Sequence, residues 1–185
     1  GAAFLAARPR ETGPSLRVDW IETLSYAGEL ETCMYAGGWK DADGAVSGWR
    51  AAGSAVEAAR ANRLAVRQDA KLLGREIVPT MTRTLQAAAR KHDLAAGDVD
   101  WFLPHYSSHY FRDKFYQGMV AAGFEVPYER WFTNLPTVGN IGSASIYVIM
   151  EELFKSGRLQ AGERLLCFVP ESGRFSHSFM HLTVV

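Results

Sequence analysis

At 185 residues the chain is long enough to bury about 70% of its unfolded surface, so its core needs neither disulfides nor a structural metal. A composition of 48% hydrophobic and 22% charged residues excludes a disordered chain. Twenty basic residues balance twenty acidic ones, which gives no global pull toward nucleic acid or a membrane surface, and neither is expected as a partner.

The first residue is Gly rather than Met, and GAAFLAARP (1–9) reads as a short strand with no preceding cap or turn, as expected of a chain with sequence missing upstream. Residues 17–26 alternate apolar and polar positions and are predicted as a second strand. Residues 27–48 are rich in Gly and Asp without a clear period and are expected to form a long loop. From about Ala55 to Lys91 the pattern is helical, with Pro79 predicted to kink or divide the helix. VDWFLPH (99–105) is a short apolar strand, residues 107–122 a helix ended by Gly123, and a further helix runs from about Ser143 to a C-cap at Gly157. GERLLCFVP and RFSHSFMHLTVV close the chain as two strands. The order β-β-α-β-α-α-β-β predicts an α/β layered domain with a mixed sheet.

Three stretches carry candidate chemistry. His105 follows a buried strand and opens a loop, the place where active sites gather in open α/β sheets, although a partly buried structural histidine fits equally well. His109 lies four residues on, at the spacing of a metal pair on one helix face, but HYSSH lacks a glutamate and a third ligand, so no metal is expected. In GNIGSAS (139–145), Asn140 supplies an amide in a tight turn among small residues at a helix entrance, where an ordinary N-cap is the alternative. Ser172-Gly173 joins two apolar runs as a hairpin, and His177 and His181 alternate along the last strand as structural residues. Cys33 has no histidine neighbour and reads, with Cys167, as an inert reduced thiol of a cytoplasmic protein. Residues 46–92 hold nine basic residues against three acidic, a solvated face or a docking site for an acidic partner.

Together these stretches resemble the C-terminal half of a β-ketoacyl-ACP synthase III-type condensing enzyme of the thiolase fold. In that family a D-W-[apolar]-x-P-H run carries a catalytic histidine, matched by Asp100–His105, and a later G-N-x-[small]-[small]-A-S turn carries a catalytic asparagine, matched by Asn140. The resemblance implies half of a duplicated α/β unit, with a five-stranded mixed sheet flanked by helices over residues 1–185. It implies decarboxylative condensation of acyl thioesters in fatty-acid or polyketide-type biosynthesis, with His105 and Asn140 donating hydrogen bonds to the enolate oxygen. The nucleophilic cysteine belongs to the family's N-terminal half, so neither Cys33 nor Cys167 replaces it and the isolated chain is expected to be inactive. No resident cofactor is implied; the substrates are thioesters of coenzyme A or of the phosphopantetheine of acyl carrier protein. Carrier protein, an acyl-CoA or malonyl thioester, the N-terminal half and a second copy in a homodimer are the implied partners.

This sequence departs from the family at three points. Q-A-N after the histidine becomes Tyr106-Ser107-Ser108, leaving Ser107 and Ser108 as substrate-binding candidates. The Gly-rich turn between the last strands becomes Glu171-Ser172-Gly173-Arg174, with Gly173 the oxyanion-hole candidate. A small-Gly-Asn segment becomes Ala65-Val66-Arg67, and Arg67 and Lys71, one helical turn apart, are the candidates for carrier-protein docking. These departures favour a specialised synthase; a non-catalytic partner or scaffold half is the rival reading.

Overall fold

The sheet is organised by the short apolar run Trp101–Pro104, a strand whose last three residues are buried whichever face they take. The structure is a computed structural model and describes residues 8–185, so the strand expected over 1–9 lies largely outside the described residues. The described residues divide into two units, one of the residues up to Leu24, Met81–Pro170 and His177–Val185, the other of Ser25–Thr80 and Glu171–Ser176.

In the first unit, β1 (Leu16–Ser25), β6 (Trp101–Pro104), β7 (Arg164–Glu171) and β8 (Ser176–Val184) form a mixed sheet in the order β1-β8-β7-β6. β6 and β7 are parallel, in the register Trp101↔Leu165 to Pro104↔Phe168. β8 returns antiparallel along β7, with Val184 N–H donating to Glu163 and Gly162 N–H to Val184, and Ser15 and Val185 exchange both backbone hydrogen bonds at the far edge. Where five strands were expected, the described residues form four and an isolated parallel bridge, Phe102↔Trp131, on the outer side of β6. Trp131 follows a 3-10 turn at Tyr128–Arg130, and three residues on, Asn134 begins another helical turn, so this fifth position never lengthens into a strand.

Parallel neighbours need crossover helices, and the sequence supplies them. Helix α3 (Arg112–Ala121) connects β6 to the Trp131 bridge, and α5 (Ser145–Lys155) connects onward to β7. On one face of the sheet Ile146, Ile149 and Leu153 of α5 pack in one cluster with Leu103, Leu165, Cys167, Leu182 and Val184. On the other, Phe115 of α3 meets Phe168 edge-on at 5.3 Å, and Phe168 stacks on Phe179 at 4.8 Å. From Met81 onward, helix α2 (Ala70–Lys91) lies beside α3, with Thr82 Oγ1 and Gln86 Nε2 donating to the Gly118 and Ala122 carbonyls. The result is helix, sheet, helix.

In the second unit, residues 27–48, expected as one loop, contain β2 (Met34–Ala36) and a hairpin of β3 (Gly38–Lys40) and β4 (Val46–Gly48). Their short length and the glycines between them hid the alternation from the sequence pattern. The single helix expected over 55–91 is three elements: α1 (Ala55–Arg60), β5 (Val66–Gln68) and α2. Asn62 takes a positive φ of 52° that ends α1, and Asp69 starts α2 afresh, its carboxylate accepting from Leu72 N–H at 2.9 Å. Arg67 therefore sits on β5 opposite Tyr35 of β2, and is not one helical turn from Lys71. Pro79 does not divide α2, which is continuous from Ala70 to Lys91. Thr80, beside it, donates its hydroxyl to the Glu76 carbonyl at 2.6 Å.

His177 is fully buried in β8, its ring 5.9 Å from that of Phe168, and burial pushes its pKa down from 6.5 to about 4. Burial pushes His105 and His181 in the same direction. Folded-state values below the unfolded one mean that stability present above pH 6.5 is lost as pH falls toward 4. For His177 that loss is about 3 kcal/mol. His177→Phe should flatten the acid side of the stability profile by about this much, read from urea unfolding at pH 7 and pH 4; an unchanged profile contradicts the assignment.

Candidate functional site

His105 extends β6 by one more ladder bond, its N–H donating to the Phe168 carbonyl at 2.8 Å. Side chains alternate along a strand, so His105 has the parity of Trp101 and Leu103, both packed in or against the α5-side cluster, whereas Phe102 and Tyr106 have the opposite parity. His105 is 8% exposed, and desolvation lowers its pKa below the usual 6.5. The ring is therefore neutral at pH 7, with one nitrogen carrying a proton and the other a lone pair. None of the described residues makes a hydrogen bond to it, which leaves both nitrogens for a ligand.

Asn140 sits in the turn that leads into α5. Its Oδ1 accepts from Gly142 N–H at 2.9 Å, and Ser145 Oγ accepts from Ile141 N–H at 3.3 Å. With the oxygen held by a backbone donor, the group the exposed side chain presents outward is the Nδ2 amide. Gly139 and Gly142 give the turn its shape with φ of 79° and 64°. A helix that crosses between parallel strands runs antiparallel to them, so the N-terminus of α5 lies at the end of the sheet where β6 ends. His105 and Asn140 thus share one end and one face of the sheet, the end where ligands bind in open α/β folds.

The other sequence candidates fall variously. Ser107 and Ser108 are exposed immediately beyond His105. His109 is exposed in a 3-10 turn that starts after Ser108, so residues 105–109 form no helical pair for a metal. Gly173, in the second unit, donates its N–H to the Glu171 carboxylate and accepts from Cys33 N–H at 2.8 Å. Arg67 and Lys71 are exposed, and the Arg67 guanidinium donates to the Asn62 carbonyl at 2.8 Å. Both cysteines are buried with thiols pushed up by desolvation, Cys33 to about 11, and neither is fit to act as a nucleophile at neutral pH.

The pattern reading missed Asn134 and Glu152. Asn134 is 5% exposed and donates Nδ2–H to Glu152 Oε2 of α5 at 2.7 Å. The TNLP segment, with Asn before Pro136 at a helix start, signals a cap; the partner 18 residues away has no local signature.

The chain is similar in sequence and fold to known condensing enzymes. The family profile of the 3-oxoacyl-[acyl-carrier-protein] synthase III C terminal matches residues 89–174, a stretch that holds both His105 and Asn140. The β-ketoacyl-[acyl-carrier-protein] synthase III of Chlamydia caviae is 29% identical over 97 residues, 50% of this chain and 28% of that protein. Among solved structures, a tetronic acid condensing enzyme superposes with a TM-score of 0.67 at 16% identity, covering 91% of this chain and 48% of that one. The 3-oxoacyl-[acyl-carrier-protein] synthase III of Aquifex aeolicus gives 0.60 at 16% identity, covering 90% and 44%. The chain thus spans less than a third of that curated relative and about half of these solved structures, which share its fold.

Gly139 combines φ 79° with ψ −173°, a region essentially confined to glycine, while a Cβ there would meet no atom within 4 Å. Gly139→Ala should therefore destabilise through backbone strain alone, by about 1–3 kcal/mol in denaturant unfolding. A variant as stable as the parent contradicts this conformation of the turn.

Proposed function

We propose that this chain, a β-ketoacyl-[acyl-carrier-protein] synthase III-like C-terminal domain of the thiolase fold, is the enolate-stabilising half of a condensing enzyme. The reading is supported by a buried, neutral His105 at the carboxyl end of β6 and an Asn140 whose oxygen is tied back in the turn into α5, the crossover helix that begins at the same end of the sheet.

The chemistry needs two such donors. A cysteine thiolate in the other half of the enzyme accepts an acyl group from one thioester and releases its thiol. A malonyl-type thioester then loses CO₂, and the electron pair of the broken C–C bond passes into the thioester carbonyl as an enolate. Its carbon attacks the acyl-cysteine carbonyl and expels the thiolate, leaving a β-ketoacyl thioester. Negative charge develops on the enolate oxygen, so N–H groups fixed toward it stabilise the transition state more than the ground state. Asn140 gives its Nδ2–H and a neutral His105 gives its Nε2–H; each donor is worth roughly 10²–10³ in rate. Ser107 and Ser108, exposed beyond His105, are assigned to the amide-bearing arm of the thioester. Gly173 takes no part while its N–H is given to Glu171. The reaction uses no resident cofactor, and the substrates are carried on coenzyme A or acyl carrier protein. The complete enzyme is read as a homodimer in which each copy joins this domain to an N-terminal half. Among the described residues no helix is long and apolar enough to cross a membrane.

In the complete enzyme, His105→Ala and Asn140→Ala should each lower malonyl decarboxylation by roughly 10²–10³ while leaving acyl transfer to the cysteine intact. Parental decarboxylation rates in both would refute the roles and favour a scaffold half. Decarboxylation should also weaken on acidification only below pH 6.5, because burial lowers the pKa of His105 and the neutral ring is the working form. Charge reversal at Arg67 and Lys71 should raise the KM for carrier-protein substrates and spare coenzyme A substrates. Equal effects on both would remove these residues from docking.

A further inference from the structure

We infer that Asn134 and Glu152 form a staple that fixes the turn bearing Asn140, which makes Asn134 a positioning residue for enolate stabilisation. The inference rests on the role given to Asn140 above.

Asn134 stands where an N-cap is expected, before the four-residue turn α4 (Leu135–Val138), yet its side chain makes no capping bond. The backbone carbonyl does the local work instead, accepting from Thr137 N–H, Val138 N–H and Thr137 Oγ1 at 3.0, 2.9 and 3.1 Å. The freed carboxamide reaches across 18 residues to Glu152 Oε2 at 2.7 Å. Asn134 is nearly dry, so an unpartnered amide there would be strongly disfavoured. Glu152, by contrast, lines an open groove with Val148, Glu151, Lys155 and Ser156 and can be changed without disturbing the core.

The stretch from Asn134 to Gly139 is a stiff unit. Pro136 fixes one φ, and Gly139 N–H closes the turn on the Leu135 carbonyl at 2.9 Å. Asn140 follows directly. At its other end the turn is held by Ser145, the 4% exposed first residue of α5, through its hydroxyl and Ile141 N–H. The peptide that carries Asn140 is thus bracketed twice on one helix, at its first residue and two turns further along. Removing the Asn134 bracket leaves Asn140 tethered at one side, and its amide loses a fixed direction toward the developing oxyanion. Acyl transfer to the cysteine does not use Asn140 and is untouched by that loss.

The test measures both half-reactions in the complete enzyme. Asn134→Ala and Glu152→Leu should each lower decarboxylation by about 10- to 100-fold, the range expected of a donor displaced by an ångström or less. The double variant should be no worse than either single one, because the two act as one unit. Acyl transfer should be unchanged in all three. Glu152→Gln keeps an acceptor oxygen and should retain most of the decarboxylation rate, which a merely structural loss of charge would not allow. Equal loss of both half-reactions, or Glu152→Gln as damaging as Glu152→Leu, overturns the staple. So does parental decarboxylation in Asn134→Ala when Asn140→Ala abolishes it, an outcome that leaves the role of Asn140 standing. Parental rates in both overturn the two together.

Discussion

The parallel pairing of β6 with β7 is the constraint from which the site follows. Parallel strands cannot be joined by a tight turn, so the chain must leave the end of β6, cross the sheet and return to start β7. In this chain the return is α5, whose Ile146, Ile149 and Leu153 bury against Leu103 and the β7 residues Leu165 and Cys167. Burial of that apolar stripe is what holds the crossover down, at about 1.5–3 kcal/mol per large side chain. Once α5 is seated, the turn before it has nowhere to be except at the end of β6. His105 is already there, carried by the ladder bond to Phe168. The two polar groups share one end of the sheet because of a hydrophobic contact neither makes.

The electrostatics of the pair complement each other. His105 is kept neutral by desolvation, so in the proposed role it would offer a donor to a forming anion without bringing a full positive charge into the site. Asn140 cannot ionise at all, and its orientation is set by giving its oxygen to Gly142. In the proposed mechanism both groups would be positioned before any substrate arrives, which is the condition under which hydrogen bonds lower a barrier rather than merely bind. Of the five histidines, His177 and His181 are also buried, but His177 lies in the aromatic layer beside Phe168, and His181 is held by Asp19 and stacked on Trp20.

What was legible in the sequence was what short-range patterns encode. The strand ending at Pro104, the helix from Ser145, the closing strands and the motifs around His105 and Asn140 all have local signatures, and the family resemblance tied them together. The strands of the second unit are not legible, because β2, β3, β4 and β5 are three residues each and three residues cannot display a period. The apolar spacing through Leu64 places Arg67 on a helix, but a positive φ at Asn62 and a new cap at Asp69 break it. The staple from Asn134 to Glu152 is a tertiary contact between a cap-like residue and an ordinary helix glutamate, and neither carries a mark of it in sequence.

The central claim is that His105 and Asn140 converge on one oxygen. The most direct measurement is a crystal structure of the complete enzyme with a non-decarboxylating malonyl thioester analogue bound. The account predicts the thioester oxygen within about 2.7–3.1 Å of both His105 Nε2 and Asn140 Nδ2, with Asn140 Oδ1 still on Gly142 N–H. An analogue whose oxygen meets neither group, or an Asn140 turned to face it with Oδ1, would contradict the account.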